Sequence, residues 1–360
     1  MRKVLMLGPA RNVKGGMTTV IDNYYNAGLN KIVELKYIET CNDARNRALK
    51  FLKEIEGKIN FYKEIDKYDV VHIHMASRRS TFRKAKYAHI AKKKGKKVIL
   101  HIHGGEYKIF YNECNEKQKE YIKETFNLAD KIIVLSESWK QYFKSLVNEE
   151  KIVVISNAIK IPNDFEKDLN RNELLFLGRI YEQKGIYDLL EAFSKLKNEF
   201  SGIRLSICGD GELDKINKFI VENNLTSNIK CYGWVSGKEK EKLLTKSSIF
   251  LLPSYNEGMP MSILEAMAYK NIVITTNVGG IPEIIKNNEN GIMIEPGNKE
   301  QLYIKIKDII KDKNKKEKIS ENARRLIENK FDINKVIKKL IDIYRWKNEK
   351  IWRVKKRRIW

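Results

Sequence analysis

Short apolar runs alternate with longer amphipathic segments along nearly the whole chain, and that alternation restricts the fold more than any other feature. The first set of runs is Val4–Leu7, Val33–Ile38, Val70–Met75, Val98–Ile102, Ile132–Leu135 and Val153–Ile155. A polar, turn-rich stretch follows, from Pro162-Asn163-Asp164 to Asn170-Arg171-Asn172. The second set is Leu174–Leu177, Arg204–Cys208, Ile229–Tyr232, Ile249–Leu252, Ile272–Thr275 and Gly291–Ile294. Short β-rich runs separated by helical segments predict parallel sheets covered on both faces. Two sets predict an α/β chain of two doubly wound domains, residues 1–165 and 166–331, joined near 160–171. At about 150 residues per domain, 360 residues suffice for two cores. Ligands of such sheets bind beyond the carboxyl ends of the strands, so the cleft between the domains is the expected site.

No run of about 18 apolar residues is present, so no membrane span is expected. Met1-Arg2-Lys3-Val4-Leu5-Met6-Leu7 starts like a signal peptide, but the apolar stretch stops at Gly8-Pro9 and reads better as a first buried strand. Cys41, Cys114, Cys208 and Cys231 have neither disulfide nor zinc spacing, which predicts reduced thiols in a cytoplasmic protein. Ile333, Val336, Ile337, Leu340, Ile341 and Tyr344 follow helical spacing. They place a C-terminal helix at about 332–360, expected to cross back onto the first domain.

Charge is unevenly spread. The net charge of +24 divides into +13 for residues 1–165, −1 for 166–310 and +12 for 311–360. Ten basic residues and no acidic one fall within 78–97, and Trp346, Trp352 and Trp360 interleave with cations in the tail. Such a field attracts lipid headgroups, nucleic acid or phosphorylated substrates. A genome favouring lysine codons would explain the excess equally well, but its asymmetry less well.

Four elements at predicted strand ends carry chemistry. Gly15 and Gly16 open a helix after the first strand, where exposed N–H groups favour an anion; a plain turn fits them equally well. They form neither a Gly-x-Gly-x-x-Gly fingerprint nor a Walker loop. His103-Gly104-Gly105 ends the fourth strand, and an imidazole there can hydrogen-bond a sugar. His72 and His74 share one strand face, as do His101 and His103. A metal site is conceivable, but no cysteine or carboxylate completes it, and His72, His74 and His101 read as packed within the sheet. Arg179 and Lys184 follow the strand Leu174–Leu177, where a guanidinium fork and an ammonium can grip a diphosphate; solvated surface charge is the competing reading.

The most specific element follows Ile249–Leu252: Glu257-Gly258-Met259-Pro260-Met261-Ser262-Ile263-Leu264-Glu265-Ala266-Met267-Ala268. Glu257 falls in a loop and Glu265 in a helix. Residues 259–263 mark the helix start, where free N–H groups receive phosphate. One carboxylate can bond sugar hydroxyls while the other reaches a ribose.

With this motif the chain resembles the family 4 retaining glycosyltransferases (glycosyl transferases group 1) of the GT-B fold, two facing Rossmann-like domains with a cleft between them. The resemblance also takes in Gly15-Gly16, His103-Gly104, Asn157-Ala158-Ile159, Gly178-Arg179 with Lys184-Gly185, Gly209-Asp210-Gly211, Gly279-Gly280-Ile281-Pro282-Glu283 and Asn290-Gly291. It implies an N-terminal acceptor domain and a C-terminal nucleotide-sugar domain. It further implies that Arg179 and Lys184 hold the diphosphate leaving group, with the Gly16 backbone opposite. Glu257 would contact the sugar, Glu265 the ribose, and His103 the sugar or acceptor. Gly15, Gly209, Met259, Met261 and Ser262 would line the nucleotide site, and the base would lie near Gly233-Trp234-Val235. The usual Asn-Gly-Val-Asp reads Asn157-Ala158-Ile159-Lys160 here, and no contact is assigned to it.

The expected reaction moves a hexose from a UDP- or GDP-sugar to a lipid-linked or glycan acceptor at the inner face of the cell membrane. The nucleotide sugar is a substrate, and no cofactor is expected. Fixed cations aimed at the leaving group stabilise its developing charge. With no Asp-x-Asp in the chain, no metal is expected in that role. No carboxylate is clearly placed as a nucleophile, which favours front-face transfer. A nucleotide-dependent oxidoreductase would share the architecture, but Cys208-Gly209-Asp210-Gly211 lacks the third glycine. A basic nucleic-acid- or membrane-binding protein without catalysis explains +24, yet not Glu257 and Glu265 in their context; no nucleic-acid partner is expected. A phosphorylase or a sucrose-type synthase run in reverse is the rival within the transferase reading.

Overall fold

The computed structural model describes residues 1–42 and 46–345. Its first sheet contains β1 (Lys3–Gly8), β2 (Glu34–Glu39), β3 (Val70–Met75), β4 (Lys97–Ile102), β5 (Lys131–Val134) and β6 (Ile152–Val154), in the order β2-β1-β3-β4-β5-β6. Its second sheet contains β7 (Glu173–Leu177), β8 (Arg204–Cys208), β9 (Ile229–Gly233), β10 (Ile249–Leu252), β11 (Ile272–Thr276) and β12 (Ile292–Ile294), in the order β12-β11-β10-β7-β8-β9. All pairings are parallel. Each of the twelve apolar runs therefore forms a strand. They do so because helices cover both sheet faces and bury consecutive residues: β3 and β10 are buried at every position.

The covering helices of the first half are α1 (Gly16–Asn26), α2 (Leu29–Ile32), α3 (Arg47–Glu64), α4 (Arg79–Lys93), α5 (Tyr107–Glu113), α6 (Glu116–Leu128) and α7 (Glu137–Phe143). Those of the second are α8 (Ile186–Glu199), α9 (Leu213–Glu222), α10 (Gly237–Lys246), α11 (Met261–Ala268), α12 (Lys299–Lys311) and α13 (Lys313–Lys330). The charged stretch 311–318 is a helix junction, where the Asp312 side chain caps α13 by accepting from the Lys315 N–H.

The last helix, α14 (Ile333–Arg345), returns to the first sheet. Its entry is fixed by Ile159, whose N–H donates to Phe331 O and whose carbonyl accepts from Ile333 N. Tyr344 is fully buried, and its hydroxyl lies 2.7 Å from His72 Nδ1 on β3. Through α1 and α14, one face of the first sheet joins the core of the second, so a single apolar cluster runs from Val4 and Ile99 to Leu174, Phe250 and Tyr344. The opposite face of the first sheet has a separate core. Trp346, Trp352 and Trp360, with the basic tail around them, lie outside the described residues.

Candidate active site

Strand order reverses at β1/β3 in one sheet and at β7/β10 in the other. At such points neighbouring loops diverge to opposite faces and leave a crevice. A cavity of about 330 Å³ lies between the two sheets there, lined among others by Gly15, Gly16, Arg179, Lys184, Glu257 and Glu265. Gly209, Val235, Met261 and Ser262 complete the expected residues around it, joined by Trp234 and Lys240.

Two helices begin on this cavity. α1 starts at Gly16 and α11 starts at Met261, and neither has a side-chain cap. Their first-turn N–H groups and positive dipole ends are therefore open to an anion. Met259 is placed differently from the expectation. It precedes Pro260, the residue before the helix, so it lies outside the first turn. It is buried, and its carbonyl accepts from Asn157 Nδ2 at 2.7 Å. The free N–H groups belong to Met261 and its successors.

Lys184 and Glu257 form an ion pair, with Nζ 2.6 Å from Oε1. Ser254 Oγ donates to the same oxygen at 2.9 Å. Tight backbone contacts hold Glu257. A Cβ on Gly279, whose φ is 56°, would overlap the Glu257 carbonyl oxygen, and one on Gly105 would come within 2.5 Å of the Glu257 carbonyl carbon. The His103-Gly104-Gly105 loop of the first half thus rests directly on the Glu257-Gly258 loop of the second. Gly185, at φ 68°, plays a comparable part beside Lys184, where a Cβ would overlap the Pro253 carbonyl. Arg179 reaches across the cleft, and its Nη2 donates to Lys14 O at 2.9 Å. Glu265 is paired with Lys240 at 2.7 Å.

His103 borders this region without lining the cavity. Its Nε2 lies 2.8 Å from His74 Nδ1, and desolvation pushes its pKa down to about 3, so the ring is neutral. His72 Nε2 lies 3.2 Å from His101 Nδ1 in a second pair. Within each pair, ring centroids 5.0–5.4 Å apart and nearly parallel planes describe two imidazoles meeting edge to edge. His72, His74 and His101 bring ring nitrogens within 4.8 Å of one another, but two of the three spend a nitrogen on each other and, among the described residues, no carboxylate or thiolate joins them. Nε2 of both His74 and His101 is buried without a partner.

Two contacts had no sequence signal strong enough to single them out. Lys240 is one of four lysines in the run 238–246, and Asn157 lies at a departure from the family pattern. Glu283, from the Gly-Gly-Ile-Pro-Glu segment, joins the halves elsewhere by accepting from Glu137 N at 2.7 Å and Ser138 N at 2.8 Å.

Two doubly wound sheets that face each other across a cationic cleft define the GT-B class. The description "Glycosyl transferases group 1" matches residues 157–326, and "Glycosyltransferase Family 4" matches residues 34–161. An uncharacterized glycosyltransferase of Methanocaldococcus jannaschii is 30% identical over 308 residues, 82% of each chain. The Escherichia coli UDP-Gal:alpha-D-GlcNAc-diphosphoundecaprenol alpha-1,3-galactosyltransferase is 28% identical over 325 residues, 83% of this chain and 81% of that enzyme. Among solved structures, Anabaena HepE in complex with UDP-glucose superposes with a TM-score of 0.74 at 18% identity, over 95% of this chain and 99% of that one. The chain belongs to the group 1, family 4 glycosyltransferases.

Proposed function

We propose that the chain is a retaining, metal-independent hexosyltransferase that moves a sugar from a UDP- or GDP-sugar to a lipid-linked acceptor in cell-surface polysaccharide synthesis. One observation carries this reading: Arg179, Lys184 and the uncapped starts of α1 and α11 converge on one cavity beside Glu257 and Glu265. Two cations and two helix N-termini form a cradle for a diphosphate. Carboxylates on either side suit the hydroxyls of a sugar and a ribose.

Breaking the anomeric C–O bond leaves its electron pair on the diphosphate oxygen. Arg179 and Lys184 stabilise that charge, and no reorganisation is needed because loops on both sides hold them in place. Lys184 enters the reaction already paired with Glu257, so diphosphate and carboxylate share its ammonium while Glu257 turns a second oxygen to the sugar. The acceptor hydroxyl attacks from the leaving-group face and passes its proton to the departing phosphate. His103, neutral and tied to His74, offers one ring nitrogen to the sugar or acceptor. Trp234 and Val235 flank the base.

The lipid-linked acceptor is suggested by the galactosyltransferase above, whose name specifies a diphosphoundecaprenol substrate. The basic first half, where nine of the ten Lys and Arg side chains in 78–97 are at least partly exposed and only Lys84 is buried, suits docking at the anionic inner face of the cell membrane. No described helix is long and apolar enough to cross a membrane. A panel of UDP- and GDP-sugars, scored by nucleotide diphosphate release with and without a polyprenyl-diphosphate sugar, tests the reading. Release with no donor in the panel would refute it, and sugar 1-phosphate as product would favour a phosphorylase.

A further inference from the structure

Helix α3 has two apolar faces, and the fold uses one of them. Phe61 is fully buried, as is Ile65 just beyond the helix, and Gly57 lies against the backbone of Glu39 and Thr40. At about 100° per residue, Phe51, Leu52, Ile55, Ile59 and Tyr62 fall in one stripe about 100° wide, centred about 130° round the helix from Phe61. Each of these five side chains is 40–63% exposed. Together with Leu49, they account for six of the thirteen large hydrophobic residues exposed among the described residues.

A groove of about 470 Å³ separates this helix from α4. Phe51, Ile55 and Phe82 give it an apolar floor, and Lys58, Arg79 and Lys86 a cationic rim. Among the described residues no carboxylate lies within ion-pair distance of those three cations, whereas Arg83 is paired with Glu54 at 3.0 Å. The helices follow β2 and β3, so both begin at the carboxyl edge of the first sheet, the edge that faces the active-site cleft.

We propose that α3 is a membrane-inserting helix, its outward stripe embedded among the acyl chains of an anionic bilayer and Lys58, Arg79 and Lys86 set against lipid phosphates. A helix with one apolar face and flanking cations lies in the interfacial plane. Charge selects the bilayer over a second copy of the chain. Joining two stripes face to face would bring two identical sets of cations together on halves that each carry +13, whereas an anionic surface neutralises them. The inference rests on the membrane docking proposed above but moves the anchor from diffuse charge to one helix face.

The test is co-sedimentation of the intact chain with vesicles of equal phosphatidylcholine and phosphatidylglycerol, at low salt and at high salt. The variant is Phe51→Ser/Ile55→Ser/Ile59→Ser, which leaves Phe61 and Ile65 in place. Binding should fall at least about tenfold, given the transfer free energy of three large apolar side chains. The fraction of wild-type binding that resists salt should disappear. Donor turnover with a water-soluble acceptor should stay unchanged, which shows that the variant is folded. A Leu52→Trp variant should gain fluorescence quenching by brominated acyl chains relative to its parent. If wild type binds and the serine variant binds equally, the helix assignment is overturned while charge-driven docking stands. If wild type ignores the vesicles, docking itself fails and the assignment with it. A dimer by light scattering that the serine variant converts to monomer would instead identify a second copy as the occupant and overturn the proposal.

Discussion

Lys184→Met, alone and combined with Glu257→Gln, separates the structural role of the Lys184–Glu257 pair from its chemical one. The Glu257 side chain is only 10% exposed and that of Lys184 26%. The single substitution leaves a largely buried carboxylate with Ser254 as its one remaining side-chain hydrogen-bond donor among the described residues. An unsatisfied buried group of this kind costs about 1–3 kcal/mol, and the partial exposure of Lys184 places the cost near the lower end. Glu257→Gln in the same chain removes the orphaned charge and should return most of that stability. The transition state is affected differently. Losing a fixed donor to a developing anion costs about 3–4 kcal/mol, or roughly 10²–10³ in kcat. Neutralising Glu257 restores nothing there and removes the carboxylate proposed to face the sugar. Denaturant melts should therefore show the double variant more stable than Lys184→Met, while nucleotide diphosphate release should show it no more active. Recovery of turnover to within about tenfold of wild type in the double variant would refute the reasoning, because the pair would then be a structural clasp only.

Glu265→Gln and Lys240→Ala should each raise the donor KM severalfold with little change in kcat, because the proposed reading assigns their ion pair in the cavity to the ribose of the nucleotide; a collapse of kcat at saturating donor would contradict that assignment. Turnover should persist in excess chelator if Arg179 and Lys184 supply the charge at the leaving group, as proposed; loss of activity restored by manganese or magnesium would overturn the metal-free mechanism. Stability should decline as pH falls from about 6.5 towards 3. Burial, reinforced for His72 by the nearby His103, pushes both His72 and His103 down to about 3, and burial with neighbouring imidazoles pushes His74 and His101 well below their ordinary value. In that window the unfolded chain binds protons that the folded one refuses, so each such histidine contributes a slope of up to about 1.4 kcal/mol per pH unit. A His74→Phe/His101→Phe variant should flatten the slope, and an unchanged slope would place the titration elsewhere.

How far the molecule was legible in its sequence depends on whether a residue's role is set by its neighbours along the chain or across it. All twelve strands were readable because burial on both faces of a parallel strand demands consecutive apolar residues, and that demand is local. Three of the four elements singled out in the sequence line the cavity, because carboxyl ends of strands are where such sheets leave a crevice and Gly15-Gly16, Arg179 with Lys184, and Glu257 with Glu265 each follow one, while His103-Gly104-Gly105 only borders it. Met259 was misplaced by a single-residue question, because Pro260 rather than Met259 sets the helix start and turns the Met259 carbonyl towards Asn157. Lys240 gave no signal because one lysine among many carries none until Glu265 is seen opposite it, twenty-five positions away. The outward stripe of α3 was invisible for a subtler reason. Phe51, Leu52, Ile55, Ile59 and Tyr62 share one helical stripe and Phe61 lies off it, but the sequence does not say which of the two the fold buries. Only the fold shows that Phe61 points inward and the other five do not. The same limit applies to His103, whose tie to His74 depends on two parallel strands, β3 and β4, aligning His74 with His101 in register. Residues whose partners lie on another strand or in the other half acquire their chemistry from the fold, and in a cleft enzyme those are the residues that bridge the halves: Asn157 to Met259, Arg179 to Lys14, and Gly105 against Glu257.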